Sequence, residues 1–138
     1  MAKGATMTTA TKTAMDYGAI FDEADRAGVL AGTAAIPTPM VVAEAKGLSN
    51  EFAEGATKYF VPEGVCGFAW VNIKPARGGF VAWLKKSGIG RLDGYYGGWT
   101  IWVHDFGQSY ERKIAYAGAF AEVLQKYGIK ADANGRLD

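Results

Sequence analysis

The stretch VCGFAWVNI, residues 65–73, decides the fold of this chain. It follows Pro62-Glu63-Gly64, which is typical of a turn, and it ends at Lys74-Pro75. Branched and aromatic residues bounded by such breakers predict a β-strand. Because both faces of this strand are apolar over most of its length, we expect a central strand that is covered on both sides.

Two helices and two strands are predicted after this stretch. The first helix carries apolar side chains between residues 80 and 84 and ends near Gly88. A strand over 99–104 follows, with Trp99 and Trp102 on opposite faces. The last helix runs from an N-cap at Ser109 to a C-cap at Gly128, and a final strand covers 129–133. The resulting β-α-β-α-β order predicts a sheet with helices packed on it, with parallel neighbouring strands if the crossovers are right-handed.

The first half of the chain adds one helix and one strand. Apolar residues at helical spacing over 13–35 predict an amphipathic helix, weakened at Gly28 and Gly32. A short strand is expected over 39–43 and a short helix over 49–56. We therefore expect an α+β fold, a small single domain over residues 13–138 with about four strands, after a flexible lead over 1–12.

The content of cysteine and histidine excludes several kinds of site. Cys66 is the only cysteine and His104 the only histidine among 138 residues, so an internal disulfide, a Cys-based metal cluster and a two-His zinc pattern are all excluded. Cys66 is expected to be an inert buried thiol. We predict no metal and no cofactor.

An apolar signal region and a membrane span are also missing, which predicts a cytoplasmic protein without membrane contact.

Charge is distributed unevenly along the chain. Residues 1–63 carry five basic and eight acidic side chains, whereas residues 64–138 carry ten basic and six acidic ones. A basic segment without acidic residues runs from Lys74 to Arg91. It is either a solvated face or a contact for phosphate or an acidic partner.

A candidate binding surface combines part of this segment, the Gly/Tyr loop at 90–98 and the start of the last helix. That helix start offers unpaired N–H groups beside Arg112 and Lys113, which suits a phosphate, although simple capping also explains it. The candidate residues are Lys85, Lys86, Arg91, Tyr95, Tyr96, Trp102, Gln108, Ser109, Arg112 and Lys113.

Residues 67–73, GFAWVNI, partly resemble the RNP1 pattern of RNA-recognition motifs, whose exposed rings stack on bases. Cys66 replaces the leading basic residue, and Ile73 stands at the last aromatic position. The predicted order of helices and strands also differs from that of this family. The sequence favours the other interpretation, in which Phe68 and Trp70 are core residues of a buried strand.

His104-Asp105 is the candidate catalytic pair, since an acid can orient a histidine as general base. Consecutive residues of a strand point to opposite faces, however, and no nucleophile motif such as GxSxG is present. We assign no catalytic residues, and a small enzyme is the last alternative.

Four blocks of the chain resemble a family of small proteins encoded by tailed phages and prophages. They are GVCGFAWVNIKP (64–75), FVAWLKKSG (80–88), GGWTIWV (97–103) and QSYERKIAYAGAFAEVLQKYGI (108–129). The resemblance implies a phage-type origin and a setting in the host cytoplasm or the virion, and it assigns no activity. We expect a non-enzymatic accessory protein that binds nucleic acid or a host protein. The main alternative is a structural virion protein or a self-assembling subunit, that is, a homo-oligomer.

Overall fold

A computed structural model describes residues 15–42 and 59–138. The described elements, in chain order, are α1 (Tyr17–Ala34), β1 (Met40–Val42), β2 (Tyr59–Val61), β3 (Gly67–Ile73), α2 (Gly79–Ser87), β4 (Arg91–Leu92), β5 (Trp99–Trp102), α3 (Tyr110–Lys126) and β6 (Ala131–Leu137). The helices predicted over 13–35, around 80–84 and after Ser109 are confirmed. The predicted lead over 1–12 and the short helix over 49–56 lie outside the described residues.

Local side-chain contacts explain where the helices begin and end. The Asp16 side chain accepts from the Ala19 N–H at 3.0 Å and starts α1. Ser109 accepts from the Arg112 N–H at 3.4 Å and starts α3, as predicted. Gly88 takes the left-handed conformation that ends α2. The C-cap of α3 is Tyr127, one residue before the predicted Gly128.

The strands form two sheets. β1 and β2 pair in a two-stranded antiparallel sheet, and the other four strands form a sheet in the order β4-β5-β3-β6. The prediction of an α+β fold with helices packed on a sheet of about four strands is therefore confirmed. The prediction of parallel neighbours was wrong, because every pair of neighbouring strands is antiparallel.

A two-residue strand, β4, explains this difference. It lies in the glycine-rich connection that the sequence indicated as a loop, and it pairs with β5. Since β4 and β3 both run antiparallel to β5, α2 does connect two strands of the same direction, but β5 lies between them. In the same way α3 connects β5 to β6 across β3. The order β3-α2-β4-β5-α3-β6 is that of a split β-α-β fold.

One face of this sheet is buried under the helices. On β3 it presents Gly67, Ala69, Val71 and Ile73, all of which are buried. Phe120, Leu84, Leu124, Val71 and Val81 are the largest fully buried side chains. Close packing of side chains from the sheet, α2 and α3 thus forms the core.

Two glycines of α1 lie where the chain approaches a ring closely. A Cβ added at Gly28 would lie 2.6 Å from the Tyr116 ring, and one at Gly32 would lie 2.4 Å from the Phe106 ring. The sequence predicted these glycines as weak points of the helix. In the structure both are buried: Gly28 lets α1 pack along α3, and Gly32 lets α1 approach the loop that precedes α3.

β3 is central in the sheet, as predicted, but in the described part of the chain helices cover only one of its two faces, whereas the sequence predicted cover on both. Phe68, Trp70 and Asn72 alternate with the buried residues and are only partly buried. The core and its partly buried neighbours include Trp83 and Trp99, but none of those three residues. Among the described elements the helices pack on one face of the sheet, and we call the other the open face.

Candidate functional site: an aromatic and basic sheet face

Strand register assigns the members of the open face. Cross-strand partners share a face of a sheet, so Trp102 lies beside its partner Trp70, and Thr100 beside Asn72. Arg136 is the partner of Phe68 on β6. Arg91 is the partner of Thr100 on β4, at the edge of the sheet. The open face thus combines aromatic rings with guanidinium groups.

Three rings form a continuous aromatic cluster on the two central strands. The ring centroids of Trp70 and Trp102 are 4.8 Å apart, with an angle of 43° between the ring planes. Phe68 meets Trp102 edge-on at 6.3 Å. All three rings are partly exposed. They pack against each other and still present ring surface to solvent.

Two cations lie against Phe68, and a third borders the cluster. Lys113 Nζ and Arg136 Cζ each lie 5.5 Å from the centre of the Phe68 ring, within cation–π range. Arg91 borders a recess of about 370 Å³, which Tyr95, Thr100 and Trp102 also line. Stacking groups and positive charges are therefore interleaved on one surface.

The turn between β4 and β5 extends this surface. The Asp93 carboxylate accepts the N–H groups of Tyr95 and Tyr96, both at 2.9 Å, and these bonds hold its pKa below the usual value. Lys74 Nζ donates to the Tyr96 carbonyl at 2.9 Å. The Tyr95 and Tyr96 rings project from the turn with 84% and 65% of their surface exposed.

A larger cleft of about 860 Å³ connects the open face with the helix side. Phe68, Trp102, Arg91, Arg136, Lys113 and His104 are among its lining residues. Tyr116 lines its inner part and donates to Asp25 Oδ1 at 2.5 Å. Burial, together with this hydrogen bond, raises the pKa of the Tyr116 hydroxyl, which therefore stays protonated and serves as a structural donor.

The structure separates the sequence-predicted binding residues into groups. Arg91, Tyr95 and Trp102 lie together on or beside the open face, with Tyr96 in the adjacent turn. Lys85 and Lys86 lie in the last turn of α2, where Lys85 Nζ is 5.3 Å from the Trp99 ring. Trp99 belongs to the helix-covered side, so Trp99 and Trp102 do point to opposite faces as predicted.

Most residues at the start of α3 have structural contacts. Gln108 is exposed, but Ser109 is buried as the N-cap and donates to the Glu63 carbonyl at 2.9 Å. The Arg112 guanidinium donates to Glu63 Oε1 at 2.7 Å. It also donates to the carbonyls of Gly32 and Thr33 at 2.8 and 3.0 Å, which satisfies the C-terminal end of α1. Of the two basic residues predicted here, Lys113 is the one that reaches the cleft.

Cys66 and the His104-Asp105 pair lie at the surface. The expectation that Cys66 is a buried thiol was wrong, because Cys66 is exposed. It lies immediately before β3, and its backbone pairs with that of Ser109 in an isolated antiparallel β-bridge. Its burial was predicted because it belongs to an apolar run. The first residue of that run on the helix-covered face of β3 is Gly67, so Cys66 precedes the buried part. His104 and Asp105 are both exposed and line the outer part of the cleft.

Sequence reasoning missed or misassigned several residues of the open face. Phe68 and Trp70 were assigned to the core, and that assignment was wrong. The predicted final strand ended at residue 133, whereas β6 runs on to Leu137 and therefore includes Arg136. The alternation of Asp132, Asn134 and Arg136 with smaller or less polar residues was a usable strand signal.

The fold and the site together define a small α+β domain with a partly exposed aromatic and basic sheet face. No protein-family model, no curated protein and no solved structure matches this chain. In the described part of the chain, no helix is long and apolar enough to cross a membrane. Nor do residues 15–42 and 59–138 contain a group of three or more His, Cys, Asp or Glu side chains that could hold a metal ion.

Proposed function

We propose that this protein is a non-enzymatic binding module for single-stranded nucleic acid, of the phage type indicated by its sequence blocks. The observation that carries the proposal is the open face, where Phe68, Trp70 and Trp102 stand between Arg91 and Arg136. Proteins that bind single strands combine stacking rings with cations that follow the phosphates. The open face supplies both kinds of group.

The position of the rings supports a ligand rather than a packing role. Phe68, Trp70 and Trp102 are separate from the core cluster, which already contains Phe80 and Phe120. Each keeps part of its surface in solvent. Solvent-facing rings on a four-stranded sheet are the means by which RNA-recognition motifs stack two or three bases.

The order of elements gives additional, weaker support. Once β4 is included, the unit from β3 to β6 reads β-α-β-β-α-β, which is also the order of the RNA-recognition motif. The order over the described chain as a whole still differs, because α1, β1 and β2 precede this unit and the RNP1-like stretch lies on its first strand. A shared fold does not determine function, so the proposal rests on the open face itself.

Charge favours nucleic acid over a host protein or a second copy of the chain as the occupant. The centre of a protein–protein interface is depleted of lysine, although arginine and aromatic residues are enriched there. Here Arg136 and Lys113 lie over the Phe68 ring itself. A strand would place its bases on the rings and its phosphates beside the exposed Arg136 and Arg91.

The test is titration of a fluorescent single-stranded oligonucleotide and of its duplex at several salt concentrations. We expect preference for the single strand and a loss of about 1–3 kcal/mol of binding free energy in Trp102→Ala. Arg136→Ala should weaken binding and reduce the slope of log K against log salt by about 0.7. Leu30→Ala and Arg26→Ala, both exposed on α1, are the matched controls and should bind like the wild type.

The other occupants predict different results. A self-assembling or virion protein would show concentration-dependent sedimentation that Trp102→Ala abolishes, and no binding to the oligonucleotide. If the partner is a host protein, the oligonucleotide should not bind at any salt concentration, including low salt. Either result would overturn the proposal.

A further inference from the structure

Lys113 is a buried cation without an acidic partner in the described part of the chain. It is only 6% exposed. Its ammonium donates one long hydrogen bond, 3.4 Å, to the Gly67 carbonyl. The described salt bridges are Arg112–Glu63 and Lys126–Glu23, and neither includes Lys113. An ammonium that loses its water without gaining a counter-ion is costly to bury.

Lys113 is one of the residues that line the 860 Å³ cleft. The Phe68 ring is one compensation for its lost hydration, since Lys113 Nζ lies 5.5 Å from the ring centre. Arg136 lies at the same distance from that ring and lines the same cleft. Arg91 and His104 also line it, against one carboxylate, Asp105. The cleft is thus a concave site of positive character next to the Trp102 ring.

We propose that Lys113 and Arg136 form a phosphomonoester site, so that the open face binds a nucleotide or strand end that carries a terminal phosphate. The base stacks on Trp102, and the phosphate enters the cleft beside Phe68. The strand-end form of this proposal rests on the proposed function, whereas binding of a mononucleotide does not.

The chemistry of the site selects a terminal phosphate over an internal one. A phosphomonoester carries a charge of about −1.5 to −2 at neutral pH and three acceptor oxygens, which matches a lysine beside an arginine. An internal phosphodiester carries a single charge and is flanked by two sugars, so it follows an open surface more readily than it enters a recess. Lys113 lies in the recess and therefore serves the terminal phosphate alone, whereas the exposed Arg136 can also contact an internal phosphate, as Arg91 can.

The experiment compares oligothymidylates with a 5′-phosphate, a 3′-phosphate and hydroxyl ends, together with thymidine 5′-monophosphate and thymidine. The proteins are the wild type, Lys113→Met, Arg136→Gln and the control Arg26→Gln, at an exposed position of α1. For the wild type we expect at least about a tenfold gain in affinity from one terminal phosphate, the size of a charge-assisted hydrogen bond. Lys113→Met should lose this gain and bind the hydroxyl-ended strand like the wild type.

A folding control keeps the result interpretable. Methionine has a similar length and removes the buried charge, so Lys113→Met should unfold at the same temperature as the wild type or higher. If it nevertheless fails to fold, Arg136→Gln, at an exposed position, carries the test.

The outcomes separate the two proposals. Strand binding without any gain from either terminal phosphate overturns the phosphomonoester site and leaves the proposed function standing. Lys113-dependent binding of thymidine 5′-monophosphate without strand binding supports the site and overturns the proposed function. A gain that persists in both Lys113→Met and Arg136→Gln overturns the assignment of these residues.

Discussion

The two faces of the four-stranded sheet differ more in residue size and neighbours than in hydrophobicity. The helix-covered face of β3 presents Gly67, Ala69, Val71 and Ile73, which are small or branched and let α3 lie close to the sheet. The open face presents Phe68 and Trp70, with Arg136 and Asn134 opposite them on β6. Apolar residues on both faces of β3 therefore indicate a central strand. The polar residues of the neighbouring β6 mark the face that no described helix covers.

The largest effect expected from this difference is on stability, at the helix-covered face. Phe120 is fully buried and contacts the rings of Phe21 and Tyr116. Phe120→Ala should lower the free energy of unfolding by about 3–5 kcal/mol, through lost transfer energy and a residual cavity. Urea denaturation followed by far-UV circular dichroism measures this change. A loss of under 1 kcal/mol would contradict the assignment of the core to this face.

The contact between α1 and α3 predicts opposite effects for two helical glycines. Gly28→Ala should destabilise the protein by about 1–3 kcal/mol, because the new Cβ would lie 2.6–2.9 Å from the Cδ2, Cε2 and Cγ atoms of the Tyr116 ring. A Cβ added at Gly118 in α3 would have no other atom within 4 Å. Gly118→Ala should therefore stabilise the protein by up to about 1 kcal/mol, because alanine has the higher helix propensity. Urea midpoints measured side by side give the two signs. Equal signs would show that Gly28 is not a point of close packing.

Much of the fold could be predicted from the sequence, since helix stripes and caps are local signals. Contacts with near neighbours in the sequence set the helix ends. Asp16 and Ser109 cap the N-termini of α1 and α3, and Gly88 caps the C-terminus of α2. β4 could not be found in this way, because a two-residue strand has no periodicity and is defined by its pairing with β5. Missing it also led to the prediction of parallel neighbours.

Removal of an open-face ring should cost much less stability than removal of Phe120. Trp70 is partly exposed, and its main aromatic contact is Trp102 at 4.8 Å. Trp70→Ala should lower the free energy of unfolding by about 2 kcal/mol, because the partial burial of the ring adds to the contribution of the aromatic pair. Urea denaturation with far-UV detection measures it, so that the loss of a tryptophan does not affect the signal. A loss as large as that of Phe120→Ala would mean that another part of the chain covers the open face.

The candidate site was harder to predict than the fold because its members are brought together by register. Arg91, Tyr95 and Trp102 were predicted as contacts and do lie together. Arg112 and Lys113 were predicted as a pair, yet adjacent helical positions point in different directions. Arg112 therefore reaches the end of α1 and Lys113 reaches the cleft. Sequence alone does not show which of two adjacent cations is held by carbonyl groups.

The smallest expected effect is on the turn that carries Tyr95 and Tyr96. The N–H groups of these residues lower the pKa of Asp93 below its ordinary value of 3.8. A lowered folded-state pKa means that the carboxylate contributes stability above that ordinary value and loses the contribution as pH falls through the folded-state pKa. Asp93→Asn keeps an acceptor oxygen but removes the charge, so it should be slightly less stable than the wild type at pH 7.

This difference between Asp93→Asn and the wild type should shrink as the pH is lowered below about 4, because the wild-type carboxyl then becomes neutral as well. Urea denaturation of both proteins across this range measures the difference directly and cancels the titration of the other acids. The exposed Asp22→Asn on α1 is a matched control. If the difference were to grow on acidification, the Asp93 carboxylate would not hold the turn, and the Tyr95 and Tyr96 rings would lack a fixed position beside the open face.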